Sequence, residues 1–519
     1  MLKRDISGIN ILIAAAGGMV GSGWLFSPFI SAQIAGSNCL ISWVLAAFIM
    51  LFIALPLCEL GAMLPLSGGM TNYPTFTHGK EIGAIFAWVS WLSYVVMTPI
   101  EIQAILQYSS HFFPGLIKDH QHMIELSGLG YLIAIFIMLS IVIINTFGIK
   151  LLAECNKYAS IIKFLVPIIT IISLLYVAPD LSNIKINLSS GQGWKSIFSA
   201  LSTGGIIFAF TGFQNGLMLA GEVKNPQRNI PIAILGAVLV GFILYFMLQF
   251  SFLAALPKSA IAGGWNNLHF TGENGPLVGL TLMLGLGIIA MLLMFDAMFS
   301  PLGTTLVYTA ATSRILYGMA LNQYLPKTLL KLNRYHIPYF TLFVNFLVGV
   351  FTFLPLPSWQ KMVAFLSSAS ILSYGIGPIC LLALRKLQPT QTRPFKLWGN
   401  NWICHLAFYM CNLMLYWCGF SIISKLYIAV LLGLMITRIC YHYNLLKITK
   451  PLIWFFAYLT SLLLISALGS FGGAGWLHFP LDFFLFLPFS ILFLKISQHC
   501  LIKQEESESL LSVFEERIT

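Results

Sequence analysis

Residues 17–26 read GGMVGSGWLF and lie in the middle of the first long apolar run, which extends from Ile9 to about Gln33. Glycine weakens a helix, and backbone groups freed inside a membrane persist only where they line a cavity enclosed by protein or filled with water. The Gly-Ser-Gly triplet at residues 21–23 therefore predicts an unwound segment halfway along a membrane-spanning helix. Close helix packing is the alternative, and it is favoured for the glycines at residues 17–18.

A matching interruption follows five apolar runs later, where residues 204–212 read GGIIFAFTG. Paired breaks at corresponding positions of two halves are typical of inverted repeats, whose substrate sites form between discontinuous helices. The two stretches together predict a core of two five-helix repeats with a binding site at the breaks.

The composition places both breaks in an all-α polytopic membrane protein. Of the 519 residues, 58% are hydrophobic and only 9% are charged, and the mean hydropathy is +0.86. These values exclude a secreted disulfide scaffold, a coiled coil, a disordered chain and a soluble enzyme domain. Runs of about 20 apolar residues predict about fourteen transmembrane helices, centred near Val20, Phe48, Val95, Ile137, Pro167, Ile207, Gly241, Leu293, Val348, Leu372, Met414, Gly433, Leu463 and Leu487.

The positive charges predict the orientation. Of the 28 Lys and Arg residues, 21 fall on the side of the N-terminus, 6 fall on the other side, and Lys163 lies within a span. Because cytoplasmic loops carry the excess of Lys and Arg, both termini are expected in the cytoplasm. The net charge of +11 thus requires no nucleic acid partner. Nine cysteines without a CxxC pair, and histidines without HxxxH spacing, predict neither a metal site nor a cofactor.

Four motifs resemble those of a known family. They are residues 21–26 (GSGWLF), 65–74 (PLSGGMTNYP), 220–231 (AGEVKNPQRNIP) and 313–320 (SRILYGMA). Together they make nearly the whole chain similar to the amino acid/polyamine/organocation superfamily of amino acid permeases. Residues 296–301 (DAMFSP) extend the similarity to the bacterial aspartate-proton symporter type.

The resemblance implies a LeuT-type fold. A ten-helix transport core is expected in residues 1–385, four additional transmembrane helices in residues 386–502 and a short acidic, solvated cytoplasmic tail in residues 503–519. It also implies a bacterial cytoplasmic membrane as the location, and a monomer or a weak homo-oligomer.

The unwound first helix is the expected substrate site. A helix N-terminus carries partial positive charge, so the substrate carboxylate is expected at the N–H groups of Ser22, Gly23 and Trp24. The amino group is expected at the carbonyl groups of Met19, Phe208, Ala209 and Thr211. Phe208 and Tyr308 are expected to form aromatic walls, although aromatic residues at helical spacing are also explained by packing.

Three ionisable residues lie within predicted spans, namely Glu101, Lys163 and Asp296. Each costs about 2.5 to 3.5 kcal/mol at the bilayer centre when charged, so each is a candidate for proton coupling. Lys163 resembles the lysine that proton-coupled relatives place where sodium-coupled ones bind a cation, and the alternative is that it extends to the cytoplasmic surface. Glu101, with Thr98 one turn earlier on the same face, is expected beside the substrate. A structural ion pair is the alternative for both carboxylates.

The function that these features favour is secondary active transport of an amino acid by alternating access, in symport with a proton. An acidic amino acid is the first candidate substrate, and neutral ones stay open. Exchange or antiport of amino acids is the alternative within transport. A membrane-embedded transferase or a sensor is the alternative outside it, but the sequence has neither a GxSxG motif nor a P-loop, so no enzymatic activity is expected.

Overall fold

The structure is a computed structural model. It describes residues 6–66, 68–120, 123–147, 149–177, 180–186, 188, 193–270, 275–399, 401–440 and 449–518, without the side chains of 119, 120, 123, 149–161 and 513–518. Ser67, in the motif at residues 65–74, lies outside the described residues. So do Lys3, Arg4 and Lys447 and the side chains of Lys150, Lys157 and Arg517, all counted among the 28 Lys and Arg residues.

Helices account for most of the described chain, because only a helix can satisfy its own backbone hydrogen bonds inside lipid. In chain order they are α1 Gly8–Met19, α2 Gly23–Ala35, α3 Cys39–Met63, α4 Tyr73–His78, α5 Lys80–Val95, α6 Met97–Ser109, α7 Gly128–Thr146, α8 Ile149–Val177, α9 Gly193–Thr203, α10 Ile206–Phe210, α11 Asn215–Met218, α12 Pro226–Ala255, α13 Lys258–Ile261, α14 Pro276–Met283, α15 Gly287–Leu321, α16 Tyr339–Thr352, α17 Trp359–Tyr374, α18 Ile376–Leu387, α19 Trp402–Trp417, α20 Phe420–Cys440, α21 Lys450–Leu468, α22 Leu481–Ser497 and α23 Gln504–Ile518.

The apolar helices confirm an all-α polytopic membrane protein. Within the described residues, eight helical stretches are long and apolar enough to cross a membrane. A ninth is obtained if α9 and the segment Ile206–Met218, which are bent by 45° at their junction, count as one span. Each of the fourteen predicted centres lies on a helix, except Val20, which lies in the break between α1 and α2.

A β-hairpin in the connection between α6 and α7 was not predicted. Strand β1 (Ile117–His120) pairs antiparallel with β2 (Met123–Leu126), and Ile117 lies opposite Leu126. The side-chain amide of Gln103 on α6 donates to the carbonyl oxygens of Ile124 (3.4 Å) and Pro357 (3.2 Å). The hairpin is thereby linked to the start of α17.

The acidic tail is docked where it begins, which differs from the solvated tail expected from its charge. The Ser507 hydroxyl on α23 is buried and donates to the carbonyl oxygen of Phe76 at 2.8 Å. The Ile502 N–H donates to the carbonyl oxygen of Thr77 at 3.1 Å. Charge alone did not reveal this contact, because it is made by a serine and the backbone while the neighbouring glutamates face outward.

A buried ion pair ties α3 to α18 and to the segment that follows it. The fully buried Glu59 carboxylate accepts hydrogen bonds from Arg385 (3.1 and 2.6 Å) and from the Leu397 N–H (2.8 Å). The Arg393 Nε lies 3.8 Å from the same carboxylate. The segment between α18 and α19 is therefore held against the end of α3.

Candidate functional site

The first span is broken where the glycines predicted it. Helix α1 ends at Met19, α2 begins at Gly23, and residues 20–22 between them are not helical. The missing side chain at Gly21 makes room for the Glu101 carboxylate, which a Cβ at this position would overlap. The Gly-Ser-Gly triplet thus interrupts the helix, and its first glycine lets a carboxylate from α6 approach the backbone.

The Glu101 side chain accepts a hydrogen bond from the first of the three amides predicted to bind the substrate, that of Ser22. Its fully buried carboxylate accepts the Ser22 N–H at 3.1 Å (Oε1) and 2.8 Å (Oε2). The expectation that Ser22 offers a free amide is therefore not met in this conformation. The next two amides, those of Gly23 and Trp24, have no hydrogen-bond acceptor among the described residues. The positive end of α2 holds one carboxylate and keeps two donors available.

The sixth span is broken twice. Helix α9 ends at Thr203, and α10 spans only Ile206–Phe210 before the chain turns at Thr211 and Gly212. The Phe208 carbonyl oxygen accepts both the N–H (2.9 Å) and the hydroxyl (2.6 Å) of Thr211. The Ala209 carbonyl oxygen receives no backbone N–H from the described part of the chain. Of the four carbonyls predicted to bind an amino group, those of Ala209 and Thr211 thus accept no hydrogen bond in the described part of the chain, whereas those of Met19 and Phe208 do.

The two breaks face each other. Gly212 has φ of +124°, which favours glycine, and a Cβ there would overlap the backbone of Gly18. A Cβ at Gly23 would lie 3.1 Å from the Phe208 ring and 3.4 Å from Cα of Ala209. The predicted residues of both spans therefore lie next to each other.

Tyrosines from other helices bind the carbonyl end of α1. The Tyr245 hydroxyl on α12 donates to the Met19 carbonyl oxygen at 2.8 Å, and that of Tyr308 on α15 donates to the Gly18 carbonyl oxygen at 3.3 Å. Met19 also accepts the Gly21 N–H at 3.2 Å. The Tyr308 hydroxyl thus lies at the break, and its role as an aromatic wall stays a prediction. The Met19 carbonyl already has two donors. Sequence reasoning missed Tyr245, because one tyrosine on an apolar helix carries no spacing signal.

An aromatic layer covers the α2 side of the break. The indole N–H of Trp359, the first residue of α17, donates to the Ser22 hydroxyl at 3.1 Å. Its ring packs edge-on against Phe208, with 5.7 Å between centroids, and lies 4.8 Å from Phe26. Phe208, the predicted wall, thus packs against both Gly23 and Trp359. Trp359 was missed because it lies 337 positions away from Ser22 in the sequence.

Lys163 points inward and does not reach the surface. Its ammonium group on α8 is buried and donates to the Thr304 hydroxyl on α15 at 2.7 Å. It interacts electrostatically with Glu101 and Asp296, although neither carboxylate comes within the 4.0 Å of an ion pair. The three predicted ionisable residues therefore form one electrostatic cluster behind the break.

Asp296 is the least satisfied member of this cluster. It is fully buried on α15, and neither carboxylate oxygen has a hydrogen-bond partner among the described residues. The Ser300 hydroxyl, one turn further along, also has none there, and Thr304 follows after another turn. Asp296, Ser300 and Thr304 thus lie along one face of α15, and Thr304 binds Lys163.

The Thr98 side chain makes its hydrogen bond to α15 and not to the broken first span. Its hydroxyl lies 3.0 Å from that of Thr309 on α15, beside a cavity of about 20 Å³ that Asn345 and Phe346 also line. The cavity has room for about one water molecule. Thr98 shares a helix face with Glu101, but its side-chain hydrogen bond is to Thr309 of α15, so a contact between Thr98 and the substrate stays a prediction.

Gln214 stabilises the second break. Its side-chain oxygen accepts the Gly212 N–H at 2.8 Å and the Tyr374 hydroxyl at 2.9 Å. Nearby, the Tyr94 hydroxyl donates to the Asn215 side-chain oxygen at 2.9 Å. Within the residues that the structure describes, no group of three or more His, Cys, Asp or Glu side chains is arranged to hold a metal ion. The chemistry of the site therefore consists of backbone dipoles, tyrosine hydroxyls and one buried charge cluster.

Comparisons with known proteins identify the family. The amino acid permease family model matches residues 6–436. A glutamate/serine transporter (AimA) of Bacillus subtilis (strain 168) is 36% identical, covering 95% of this chain and 93% of that protein. An aspartate-proton symporter of the same organism is 33% identical, covering 93% of this chain and 94% of that protein. A branched-chain amino acid permease (BcaP) is 26% identical over 84% of this chain and 92% of that protein.

The family and these relatives are transporters and not enzymes, in agreement with the function predicted from the broken spans. The resemblance predicted from the four motifs is likewise confirmed. The chain belongs to the amino acid permease family of the amino acid/polyamine/organocation superfamily.

Proposed function

We propose that this permease carries an amino acid into the cell together with a proton, while the two broken spans open the site alternately to either side. The observation that carries the proposal is the pair of hydrogen bonds from the Ser22 N–H to the Glu101 carboxylate. A carboxylate already lies at the N-terminus of α2, and the adjacent amides of Gly23 and Trp24 lack acceptors in the described part of the chain. We therefore assign the substrate carboxylate to these two amides.

The substrate amino group is assigned to the sixth span. The carboxylate and the amino group of an amino acid are attached to one carbon, so their binding groups must lie within a few ångströms of each other. Gly23 packs against Phe208 and Ala209, which brings the Ala209 carbonyl close to the α2 N-terminus. Phe208 and Trp359 enclose the remaining part of the substrate.

Charge repulsion couples the proton to the substrate. Two carboxylates about 4 Å apart repel each other by about 4 kcal/mol at an effective dielectric constant near 20. This corresponds to about a thousandfold loss of affinity. A substrate carboxylate therefore binds beside Glu101 when Glu101 is protonated or has moved away from Ser22.

Lys163 and Asp296 are assigned to the path of that proton. A buried ionised carboxylate without partners is unfavourable by several kcal/mol, and Asp296 has no hydrogen-bond partner among the described residues. Lys163 lies within electrostatic range of both carboxylates. Movement of a proton among the three groups changes the charge next to the break, and thereby the partner of the Ser22 amide.

We infer an acidic amino acid as the preferred substrate, with serine next. The support comes from two relatives, a glutamate/serine transporter and an aspartate-proton symporter, each similar over more than nine tenths of the chain. The excess of Lys and Arg on one side supports insertion into the cytoplasmic membrane with both termini inside.

Uptake into liposomes tests the proposal. Purified protein is supplied with labelled aspartate, glutamate, serine, leucine or lysine, under an imposed pH gradient or a sodium gradient. We expect aspartate or glutamate to accumulate only when the lumen is alkaline relative to the outside. Uptake that requires sodium and ignores pH would contradict proton coupling, and uptake only into liposomes preloaded with amino acid would identify an exchanger.

The variant Lys163→Ala separates coupling from binding. We expect it to equilibrate the substrate without concentrating it, because the charge that links Glu101 and Asp296 is lost. The matched control is Thr170→Val on the same helix, since the buried Thr170 hydroxyl binds only its own helix, at the carbonyl oxygen of Val166. Concentrative uptake by Lys163→Ala at the wild-type level would reject the role of Lys163.

A further inference from the structure

A groove separate from the substrate site lies beside the first turns of α12. Its volume is about 630 Å³, and it is lined by Gln227, Arg228, Pro231, Ile232, Leu235 and Gly236 of α12 and by Pro394 and Phe395 of the segment after α18. This volume is within the range of small-molecule sites. None of these residues contributes to the breaks or to the charge cluster.

The mouth of the groove is positively charged. Arg228 is exposed, and among the described residues its guanidinium has neither a carboxylate nor a carbonyl partner. Lys396, which directly follows Phe395, is also exposed. The distribution of Lys and Arg assigns both residues to the cytoplasmic face. Arg228 therefore supplies a positive charge in the groove lining, and Lys396 supplies a second one next in sequence to its Phe395 wall.

The groove continues as an apolar strip towards the bilayer centre. Ile232, Leu235, Leu239 and Ile243 follow Arg228 at helical spacing on one face of α12. The exposed fractions of Ile232, Leu239 and Ile243 are 49%, 46% and 61%. A ligand that fits both parts has an anionic head and a long apolar chain.

We propose that this groove binds one anionic phospholipid of the cytoplasmic leaflet. The phosphate lies between Arg228 and Lys396, and an acyl chain lies along the α12 strip. Arginine binds phosphate with directed hydrogen bonds, and basic pockets at the cytoplasmic ends of helices are known to bind anionic headgroups. A zwitterionic lipid has the same chains without the net negative charge.

The walls of the groove connect the lipid to elements of the transport site. The Phe395 segment is held in place because Arg393 and Leu397 on either side of it both contact Glu59. On the α12 side, a Cβ at Gly236 would lie 2.7 Å from Leu12 of α1, the inner half of the broken first span. A lipid in the groove would therefore contact α12 beside α1 and join both to the segment after α18.

Native mass spectrometry of the full-length protein tests the proposal. Phosphatidylglycerol and phosphatidylcholine with identical acyl chains are titrated against the wild type, Arg228→Gln and Lys396→Gln. We expect the wild type to prefer phosphatidylglycerol, and each variant to bind it about fivefold more weakly, as expected for the loss of one basic residue near a membrane surface. The control Arg438→Gln removes an exposed basic residue from the end of α20 and should leave binding unchanged.

Ile232→Trp and inorganic phosphate distinguish a lipid from a free anion. Ile232→Trp fills the apolar part and should weaken phosphatidylglycerol binding while the charges remain. Wild-type binding by Arg228→Gln, or equal binding of both lipids by the wild type, would overturn the proposal. Displacement of the lipid by millimolar phosphate, with no effect of Ile232→Trp, would also overturn it and indicate a phosphate site.

Discussion

In the first broken span the freed backbone groups are held by side chains from other helices, whereas the sixth span holds most of its own. The Ser22 N–H donates to Glu101 of α6, and the Met19 carbonyl oxygen accepts from Tyr245 of α12. Trp359 of α17 adds a hydrogen bond to the Ser22 hydroxyl. In the sixth span, Gln214 binds Gly212 two residues away, and Thr211 binds Phe208 three residues away. The first break thus depends on distant and ionisable partners, while the second is a local turn.

This difference separates the two roles of the site. A backbone amide whose acceptor is a carboxylate can lose that partner when the carboxylate takes up a proton or meets another anion. A turn held by an amide side chain and a hydroxyl does not respond to protons, because neither group titrates. In the proposed mechanism the first break is therefore the element that responds to charge, and the second supplies a fixed surface against which it moves.

The sixth span is also attached to the last helices of the chain. The Phe198 ring on α9 stacks on Trp417 of α19 with 4.5 Å between centroids and 8° between planes, and the Ser202 hydroxyl donates to the Trp417 carbonyl oxygen at 2.7 Å. Phe483 of α22 joins the same cluster. Helices α19 and α22 therefore pack against α9, the first part of the sixth span, a role that their sequence did not indicate.

Disrupting the contact between the two breaks should have the largest effect on stability. Gly212→Ala introduces a Cβ that overlaps Gly18 and strains a backbone with φ of +124°. We expect a loss of more than about 4 kcal/mol in the free energy of unfolding, since overlap and strain add. Size-exclusion chromatography after extraction should then show almost no monodisperse protein.

Gly318→Ala is the control for this substitution, because a Cβ at Gly318 on α15 would meet no atom within 4 Å. It should give the wild-type yield. A folded Gly212→Ala variant with normal uptake would show that the two breaks do not need close contact.

Weakening the packing of α9 against α19 should have the next largest effect on stability. Trp417→Ala removes the ring that stacks on Phe198, and loss of a buried tryptophan costs about 3 to 5 kcal/mol. We expect a lower Tm in a thermal unfolding assay, with the KM for substrate unchanged in the surviving protein. Trp398→Ala, at a tryptophan with 70% exposure, should leave Tm within error. An altered KM with an unchanged Tm would instead place Trp417 in the substrate site.

Two tyrosine variants, one at each break, should show the smallest effect, a difference in KM. Tyr245→Phe removes the hydroxyl that binds Met19 in the first break, and one neutral hydrogen bond contributes about 1 kcal/mol, which corresponds to about fivefold in KM. Tyr374→Phe removes a hydroxyl from Gln214, which keeps its bond to Gly212, so its KM should change less than twofold. Equal changes in both variants would remove the distinction between a responsive and a fixed break.

Local sequence patterns predicted the breaks, and long-range packing supplied their partners. Glycines at residues 21, 23, 204 and 205 are direct signals of weak helices, so both interruptions could be located from sequence. The bond between Ser22 and Glu101 could not, because it joins residues 79 positions apart and depends on how α6 packs against the break. Thr98 shows the same limit, since its helix face matched Glu101 while its contact is Thr309.

Charge within a span was the other reliable signal. Glu101, Lys163 and Asp296 were identifiable because ionised groups are unfavourable in a bilayer, and the structure places all three in one electrostatic cluster. Thr304, which binds Lys163, was not identified because a threonine on a helix usually bonds to its own backbone. The docked tail was missed for a similar reason, since its contact is made by Ser507.

The most direct measurement of the central claim uses Glu101→Gln in liposomes. Glutamine can still accept the Ser22 N–H but does not titrate, so the first break keeps its shape and loses its response to protons. We predict that this variant binds and equilibrates labelled aspartate or glutamate, at a rate independent of pH, and does not concentrate it under a pH gradient. Concentrative uptake by Glu101→Gln with the wild-type pH dependence would contradict the account.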